Sequence, residues 1–322
     1  MYCPKEPSKK RLKDLEEELA DAELAEDLDK VKELQFSIQA EHKRLNRPKF
    51  ALNPESRIRD ADLVIVDEAS QINTEMAEDL MSFGTKILVL GDPAQLPPVF
   101  GQGFFIQAKP DFMLTDIHRQ AKDNPILRLA TQIRNGIYPK IDNKIVFGKI
   151  TPEMALEADQ VLVGRNATRH SFNKRIRELL FRKGSLPEDG DRLVCLRNDH
   201  DIGLLNGAIW MVETCLDANA ETVDLILYSE GAGADTEKGS AFLAVEAHKH
   251  HFEAPGKVEL PFWLRKEAQE FAFGYALTVH KSQGSEWDKV LVYDESEVFR
   301  NAQYNHLYTA VTRAAKNLKL VI

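Results

Sequence analysis

The 322-residue chain has little cysteine: Cys3, Cys195 and Cys215 lie far apart and form no CxxC pair. A disulfide framework and a thiolate zinc site are therefore not expected, and a reducing cytoplasmic setting is. Long apolar runs are missing as well. No stretch approaches the ~20 apolar residues of a membrane span, and the opening MYCPKEPSKK has no apolar segment of a signal peptide. No membrane partner is expected. An excess of positive charge is also lacking, since the net charge is −9. Residues 1–46 hold 9 Lys/Arg and 12 Asp/Glu, a net of −3 that leaves −6 for the rest. Any contact with nucleic acid must come from a local basic or polar groove and not from the overall field. There are no internal repeats and no low-complexity tracts.

What is present divides by texture. Residues 8–46 are charged, with Leu12, Leu15, Leu19 and Ala22, then Leu24, Leu28, Val31, Leu34 and Ile38, at helical spacing. The shift between Ala22 and Leu24 predicts a helical hairpin or a skip in one helix, a solvated arm with a thin apolar stripe. Asn46-Arg47-Pro48 ends it. From Asp60 the runs LVIV (63–66) and ILVL (87–90) predict buried parallel strands around a helix from about Asn73 to Ser82. A further helix is expected over Pro125–Asn135, a strand at VLVG (161–164), and a helix from about Ser171 to Arg182. Residues 190–262 look antiparallel: GDRLVCL, NGAIWMVE, TVDLILY and AFLAVEAHKHHFE are separated by turn residues. FAFGYALTVH, KVLVY and LKLVI return to buried-strand texture, with a helix near Tyr304–Ala315.

In open α/β sheets, ligands gather at the carboxyl ends of the strands. The informative residues lie there. Asp67 and Glu68 follow LVIV, where they form either a metal-and-water pair or a plain acid pair capping the next helix. ILVLGDPAQLPPV places Gly91 and Asp92 at a strand end, then Gln95, suited to a phosphate or its attacking water, then a rigid Pro97-Pro98 turn. LTDIHRQ carries Arg119, a residue type suited to bidentate phosphate contacts. ALTVHKSQGSEWDKV carries Thr278 and His280, which share a face if the strand stays extended, and then Gln283, Gly284 and Glu286 in a polar turn. LYTAVTRAAKNLKLVI carries Arg313. The run Arg165–Lys183 holds seven basic residues against one acid, either a patch for backbone phosphates or an exposed helix face. Trp210 and Trp263 are candidates for stacking bases or for core positions. His248, His250 and His251 invite a metal, but no Cys or carboxylate pair completes a set.

Taken in order, DEAS, GDPAQLPPV, IHRQ, TVHKSQGSEWDKV and YTAVTRA resemble motifs II to VI of superfamily-one helicases, most closely the RecD/Dda type that moves 5′ to 3′ along single-stranded DNA. The resemblance spans about residues 58–322. It implies two tandem RecA-like parallel-sheet domains, the first truncated, with a small inserted SH3-like β module. The implied domains are 57–138 for the first, 139–189 with 263–322 for the second, 190–262 for the insert, and 1–56 for a helical insertion segment. It implies ATP and Mg²⁺ as cofactors, and single-stranded DNA or a single/double-strand junction as partner. Asp67 would coordinate Mg²⁺, Glu68 would activate water and Gln95 would sense the γ-phosphate. Arg119 and Arg313 would act as arginine fingers. Gly91, Asp92, Gln283, Gly284 and Glu286 would line the nucleotide. Pro97, Pro98, Asn166, Thr168, Thr278 and His280 would line the strand.

One expected part is missing from these residues. A phosphate loop reads GxxxxGK[ST]. The only Gly-Lys pairs are Gly148-Lys149 and Gly256-Lys257, neither followed by Ser or Thr, and both come after Asp67. The expectation is a helicase fragment, inactive alone, whose phosphate loop lies upstream or on another chain, and whose first sheet lacks strands that would cover LVIV and ILVL. A non-hydrolysing nucleic-acid-binding protein on a helicase frame is the alternative. A different P-loop ATPase leaves TVHKSQGSE and YTAVTR unexplained together.

Overall fold

The computed structural model describes residues 2–5, 10–24, 30–31, 34–35, 37–38, 41, 49–98, 101–114, 124–229, 242–255 and 267–322. Tyr2–Lys5 (β1) pairs antiparallel with Lys49–Leu52 (β2), closing the N-terminal segment at its base. Lys10–Leu24 (α1) lies between them. The sequence did not announce this pairing, because four residues containing Pro4 show no alternation to read. Most of the second expected helix falls outside the described residues.

Val64–Val66 (β3) and Ile87–Val89 (β4) pair in parallel across Thr74–Met81 (α2). The helix starts where Asn73 accepts from the Met76 amide at 2.9 Å, a side-chain N-cap. Val64, Val66, Ile87 and Val89 pack on Ile58, Ile72, Leu80 and Phe105. Burial of both faces was expected and is corrected here. The alternate residues Leu63, Ile65, Leu88 and Leu90 are 49, 60, 46 and 46% exposed. Among the described residues β3 and β4 pair only with each other, and the residues that pack on them meet the face that carries Val64, Val66, Ile87 and Val89.

Pro125–Arg134 (α3) begins at an Asn124 cap with proline in its first turn, and Gly136 follows its end at φ +75°. Then come Val146–Phe147 (β5), Pro152–Glu157 (α4), Gln160–Val163 (β6) and Asn166–Leu179 (α5). Arg192–Cys195 (β7), Ile209–Ala218 (β8), Thr222–Ser229 (β9), Leu243–His248 (β10) and Phe271–Phe273 (β11) follow, then Ala276–Thr278 (β12), Trp287–Tyr293 (β13), Gln303–Val311 (α6) and Ala314–Val321 (β14). One parallel sheet runs β12-β6-β13-β14-β5 and one antiparallel sheet runs β10-β9-β8-β7-β11. The architecture is mixed α/β, with parallel sheets in two units.

The parallel sheet is covered on both faces, as parallel sheets require. Ile133 and Leu307 pack on Leu162, Val290 and Leu320 on one side. Ala155 and Ile176 pack on Val161, Val163 and Leu291 on the other. That two-sided burial explains why Gln160–Val163 reads as a continuous run.

Three differences from the sequence have local causes. FAFGYALTVH is not one strand. It divides at Gly274, with β11 in the antiparallel sheet and β12 in the parallel one. Gly274 passes so close to β7 that a Cβ there would lie 3.0 Å from the Leu193 carbonyl carbon and 3.1 Å from the Val194 nitrogen. Second, α5 starts at Asn166 and not near Ser171, because its entry is capped from another element, described below. Third, β10 stops at His248 and a one-turn helix begins at His250, so these two rings do not alternate along one strand. No cluster of three or more metal-ligating side chains occurs among the described residues, and none of their helices is long and apolar enough to cross a membrane.

Gly274→Ala is expected to destabilise the fold by about 1–3 kcal/mol, since the new methyl meets backbone and not a side chain that could swing away. Chemical denaturation measures it.

Candidate functional site

Asp67 leaves β3 exposed, its Oδ1 accepting from the Glu68 amide at 2.8 Å. Glu68 sits at φ +50°, a left-handed conformation that costs a non-glycine about 1–3 kcal/mol and recurs at functional sites. The turn is pinned to the neighbouring strand, where the Ala69 amide donates to Leu90 O at 3.1 Å. Gly91 lies against it, and a Cβ there would be 3.1 Å from Ala69 Cβ. The two strand ends thus bring Asp67 and Glu68 beside Gly91 and Asp92.

From Asp92 the chain crosses to the second unit. Asp92 accepts from the Ala94 amide at 2.9 Å and from the Tyr308 hydroxyl at 2.7 Å. Burial, and then the bond to Asp92, push the Tyr308 phenol well above its ordinary range, so it remains a donor. Leu96 is 1% exposed and belongs to the second unit's core. Its amide donates to Thr309 Oγ1 at 2.8 Å, and its carbonyl accepts from Gln71 Nε2 at 2.9 Å and Gln283 Nε2 at 3.1 Å. Asn305 Nδ2 donates to Ala94 O and Gln95 O at 3.1 and 3.2 Å.

Arg313 follows α6 and is 8% exposed. Its guanidinium donates to Thr309 O at 3.2 Å, Ser285 O at 3.2 Å and Thr312 Oγ1 at 3.3 Å, with no carboxylate partner among the described residues. A buried cation bonded only to neutral acceptors is a standing site for an anion. Around the crossing loop, Ser70 Oγ, Gln95 Oε1 and Gln283 Oε1 are buried without partners. Each such atom costs about 1–3 kcal/mol unless a ligand or water meets it. Gly284 turns at φ +76°, and Glu286 beyond it is exposed. Arg119 lies outside the described residues.

The donor set fits one end of a magnesium nucleotide. Mg²⁺ is commonly held by one or two carboxylates plus substrate phosphates, which suits Asp67. The buried amide oxygens suit the water shell around such an ion. Backbone amides of a glycine-rich phosphate loop are not among these residues.

The residues expected to meet a strand lie at the carboxyl end of the parallel sheet. Thr278 closes β12, and Val279–Ser282 then forms a 3-10 turn, closed by Ser282 Oγ donating to Val279 O at 2.8 Å. His280 is therefore not on an extended strand, and the shared face expected for Thr278 and His280 is not produced by alternation. Burial lowers the His280 pKa and, with Arg169 nearby, that of Lys281. Pro97 and Pro98 are half-buried after Leu96, and Asn166 is exposed at the start of α5. The Thr168 hydroxyl is already committed, donating to Glu295 Oε1 at 2.6 Å.

Glu295 is a residue that sequence patterns missed. It accepts from the Gly164 and Arg165 amides, both at 3.0 Å, and from Arg165 Nε at 2.6 Å as well as from Thr168. It is a carboxylate cap delivered to the start of α5 from the end of β13. Burial raises its pKa, but the Thr168 and Arg165 bonds outweigh burial and hold it below the ordinary glutamate value. Asn173 was also missed; it bonds both the amide and the carbonyl of Ala276, each at 3.0 Å, and ties α5 to β12. Only the order Asp-Glu-Ser after KVLVY could have flagged Glu295, and that triplet carries no special spacing.

Two parallel sheets joined through a strand-end loop define a RecA-like α/β protein with an anion-ready seam. Two family models match the chain: an AAA domain over residues 7–151 and a UvrD-like helicase C-terminal domain over residues 273–321. An ATP-dependent RecD2 DNA helicase of Deinococcus radiodurans is 28% identical over 284 residues, covering 79% of this chain and 35% of that protein. The chain thus spans about a third of the length of that curated relative. The crystal structure of Pif1 helicase from Candida albicans superposes with a TM-score of 0.51 at 19% identity, over 82% of this chain and 72% of that one. A structure of two coordinating Pif1 helicases at forked double-stranded DNA gives 0.51 at 18% identity, over 86% and 76%. By these matches the chain is similar to helicases of the RecD and Pif1 type and shares the fold of the Pif1 structures.

Two outcomes are expected. Thr309→Val leaves the buried Leu96 amide unpaired and costs about 1–3 kcal/mol in denaturant titrations. Because the folded-state pKa of Glu295 is depressed, its contribution is full above the ordinary glutamate pKa and disappears as pH falls through the lower folded value. The stability gap between the parent chain and Glu295→Gln should therefore narrow on acidification, read from thermal midpoints across pH.

Proposed function

We propose that this chain is the part of an ATP-dependent DNA helicase that couples nucleotide hydrolysis to 5′-to-3′ movement on single-stranded DNA and to duplex unwinding. The observation that carries it is the loop 91–98, which begins among the strand-end acids and ends anchored in the second unit beside the unpaired Arg313 guanidinium. In this proposal Asp67 holds Mg²⁺, Glu68 orients the attacking water, and Gln95 meets the γ-phosphate or that water. Arg313 and Arg119 neutralise charge on the transferring phosphoryl group, as arginine fingers supplied in cis. Gly91, Asp92, Gln283 and Gly284 shape the nucleotide side, with Glu286 toward the ribose. Asp92 serves there through Tyr308 and Ala94, since both its oxygens are engaged.

Single-stranded DNA would run over the carboxyl end of the parallel sheet, meeting Pro97, Pro98, Asn166, Thr278 and His280. Thr168 would contribute by positioning, because its hydroxyl is held by Glu295. Rigid connection gives the coupling a physical form. A shift at Gln95 moves Leu96 and the Pro97-Pro98 turn with it, since no flexible residue intervenes. ATP supplies the free energy when bound, and a glycine-rich loop of backbone amides to cradle its remaining phosphates is not among these residues. Without that loop the purified chain is inactive in hydrolysis. Two tandem domains with residues 190–262 as an inserted strand-guiding module complete the proposal, and a cytoplasmic setting accords with it.

A second proposal keeps DNA binding without hydrolysis. The intact set of Asp67, Glu68, Gln95 and Arg313 favours the first, since a retired ATPase has no physical reason to keep a buried arginine without a carboxylate. Purified chain should bind single-stranded DNA and show no DNA-stimulated ATP turnover. Robust turnover that Glu68→Gln abolishes would overturn the inactivity, and failure to bind DNA would overturn both proposals.

A further inference from the structure

The basic run Arg165–Lys183 resolves into residues with different tasks. Arg165 is held by Glu295 and Arg175 by Glu178 at 2.9 Å. Arg177 is 5% exposed, bonded to the fully buried Asp191, to Gly184 O and to Leu186 O, with its guanidinium 4.1 Å over the Phe273 ring. Arg182 also pairs with Asp191, at 2.8 Å. These four are structural. Arg169, Lys174 and Lys183 are left, and none makes an ion pair among the described residues. All three line one cavity of about 770 Å³ between α5 and the antiparallel sheet. Among the described residues Arg169 Nε is buried there without a partner, and the side chain's bond runs from Nη2 to the neighbouring His170 ring, at 3.2 Å. Among the described residues the acids at the cavity are Glu178, already paired, and the exposed Glu253.

The rim of the same cavity carries Phe181. The end of α5 is a Schellman turn: the Arg182 amide donates to Arg177 O at 2.9 Å and the Phe181 amide to Glu178 O at 3.1 Å. The residue that must turn left-handed in this motif is usually glycine. Here it is phenylalanine, at φ +61° and 87% exposed. A bulky aromatic in that conformation is strained, and an exposed one gains little from burial to offset it. Folding alone gives no reason for it. An aromatic face beside unpaired cations is the arrangement that binds single-stranded nucleic acid, with bases stacking and phosphates meeting the charges.

We propose that this cavity is a second single-strand subsite, in which Arg169, Lys174 and Lys183 take backbone phosphates and Phe181 stacks a base. Its ligand class rests on the single-strand role proposed above. Arg169 stands one turn from the strand residues at the start of α5, while Phe181 and Lys183 lie past its far end, about 20 Å away along a 14-residue helix. A strand crossing Thr278 and His280 would pass Arg169 and need several more nucleotides to reach Phe181.

The test uses the whole chain and a labelled oligothymidylate followed by fluorescence anisotropy. Phe181→Gly relieves the left-handed strain, so its thermal midpoint should rise while its affinity falls about tenfold, within the range for losing one stacked base. Lys174→Ala with Lys183→Ala should lower the slope of log affinity against log salt by about 1.4, two phosphates at ~0.7 each. An oligomer without bases should bind the parent chain and Phe181→Gly alike. Parent-like affinity in Phe181→Gly and in the double lysine variant, with weaker binding in His280→Ala, would overturn the subsite and leave the DNA role standing. No binding by the parent chain would overturn both.

Discussion

The joint on which the structure depends is one hydrogen bond and one side chain. The Leu96 amide meets Thr309 Oγ1 while the leucine itself fills the core beneath α6. The acids after β3 and the arginine after α6 are related through it, with the Tyr308 bond to Asp92 and the Asn305 bonds to Ala94 and Gln95 alongside. A polar loop would not normally surrender a leucine to a neighbouring unit. It does so here because both backbone groups of Leu96 find partners on arrival, the amide at Thr309 and the carbonyl at Gln71 and Gln283. Burial of the side chain contributes about 2 kcal/mol, and the satisfied backbone prevents that gain from being cancelled.

The same joint explains which polar atoms stand idle. Gln95 and Gln283 each keep a buried oxygen without a partner, and both flank Leu96. Arg313 shares Thr309 with Leu96, one giving a bond to its carbonyl and the other to its hydroxyl. Anion-seeking and acceptor groups are thus gathered at the seam by the packing that holds the seam together. In the proposed function this seam would turn a change at phosphate into a change at DNA.

The sequence made the parallel strands legible because LVIV, ILVL, VLVG and KVLVY are short apolar runs with polar ends. It made the strand-end residues legible because Asp67, Glu68, Asp92 and Gln95 stand at fixed offsets from those runs. The runs themselves read as buried on both faces, and the exposure of Leu63, Ile65, Leu88 and Leu90 depends on what packs against each face, which local hydropathy does not encode. Nor did the sequence show the division at Gly274, where close backbone approach and not hydropathy decides. Glu295, Thr309 and Asn173 act across 103 to 213 residues of chain, and no local spacing encodes such partners. The left-handed Phe181 was hidden for another reason: the helix was expected to run to about Arg182, and it ends at Leu179, leaving Phe181 in the turn that follows.

Amide hydrogen exchange at Leu96 tests the account at its centre. If the loop is anchored as described, the Leu96 amide exchanges as slowly as those of Val290, Leu291 and Val292 in the buried β13 strand. Exchange at the rate of an open loop would mean that the two units are not joined there, and that the acids and Arg313 do not belong to one site.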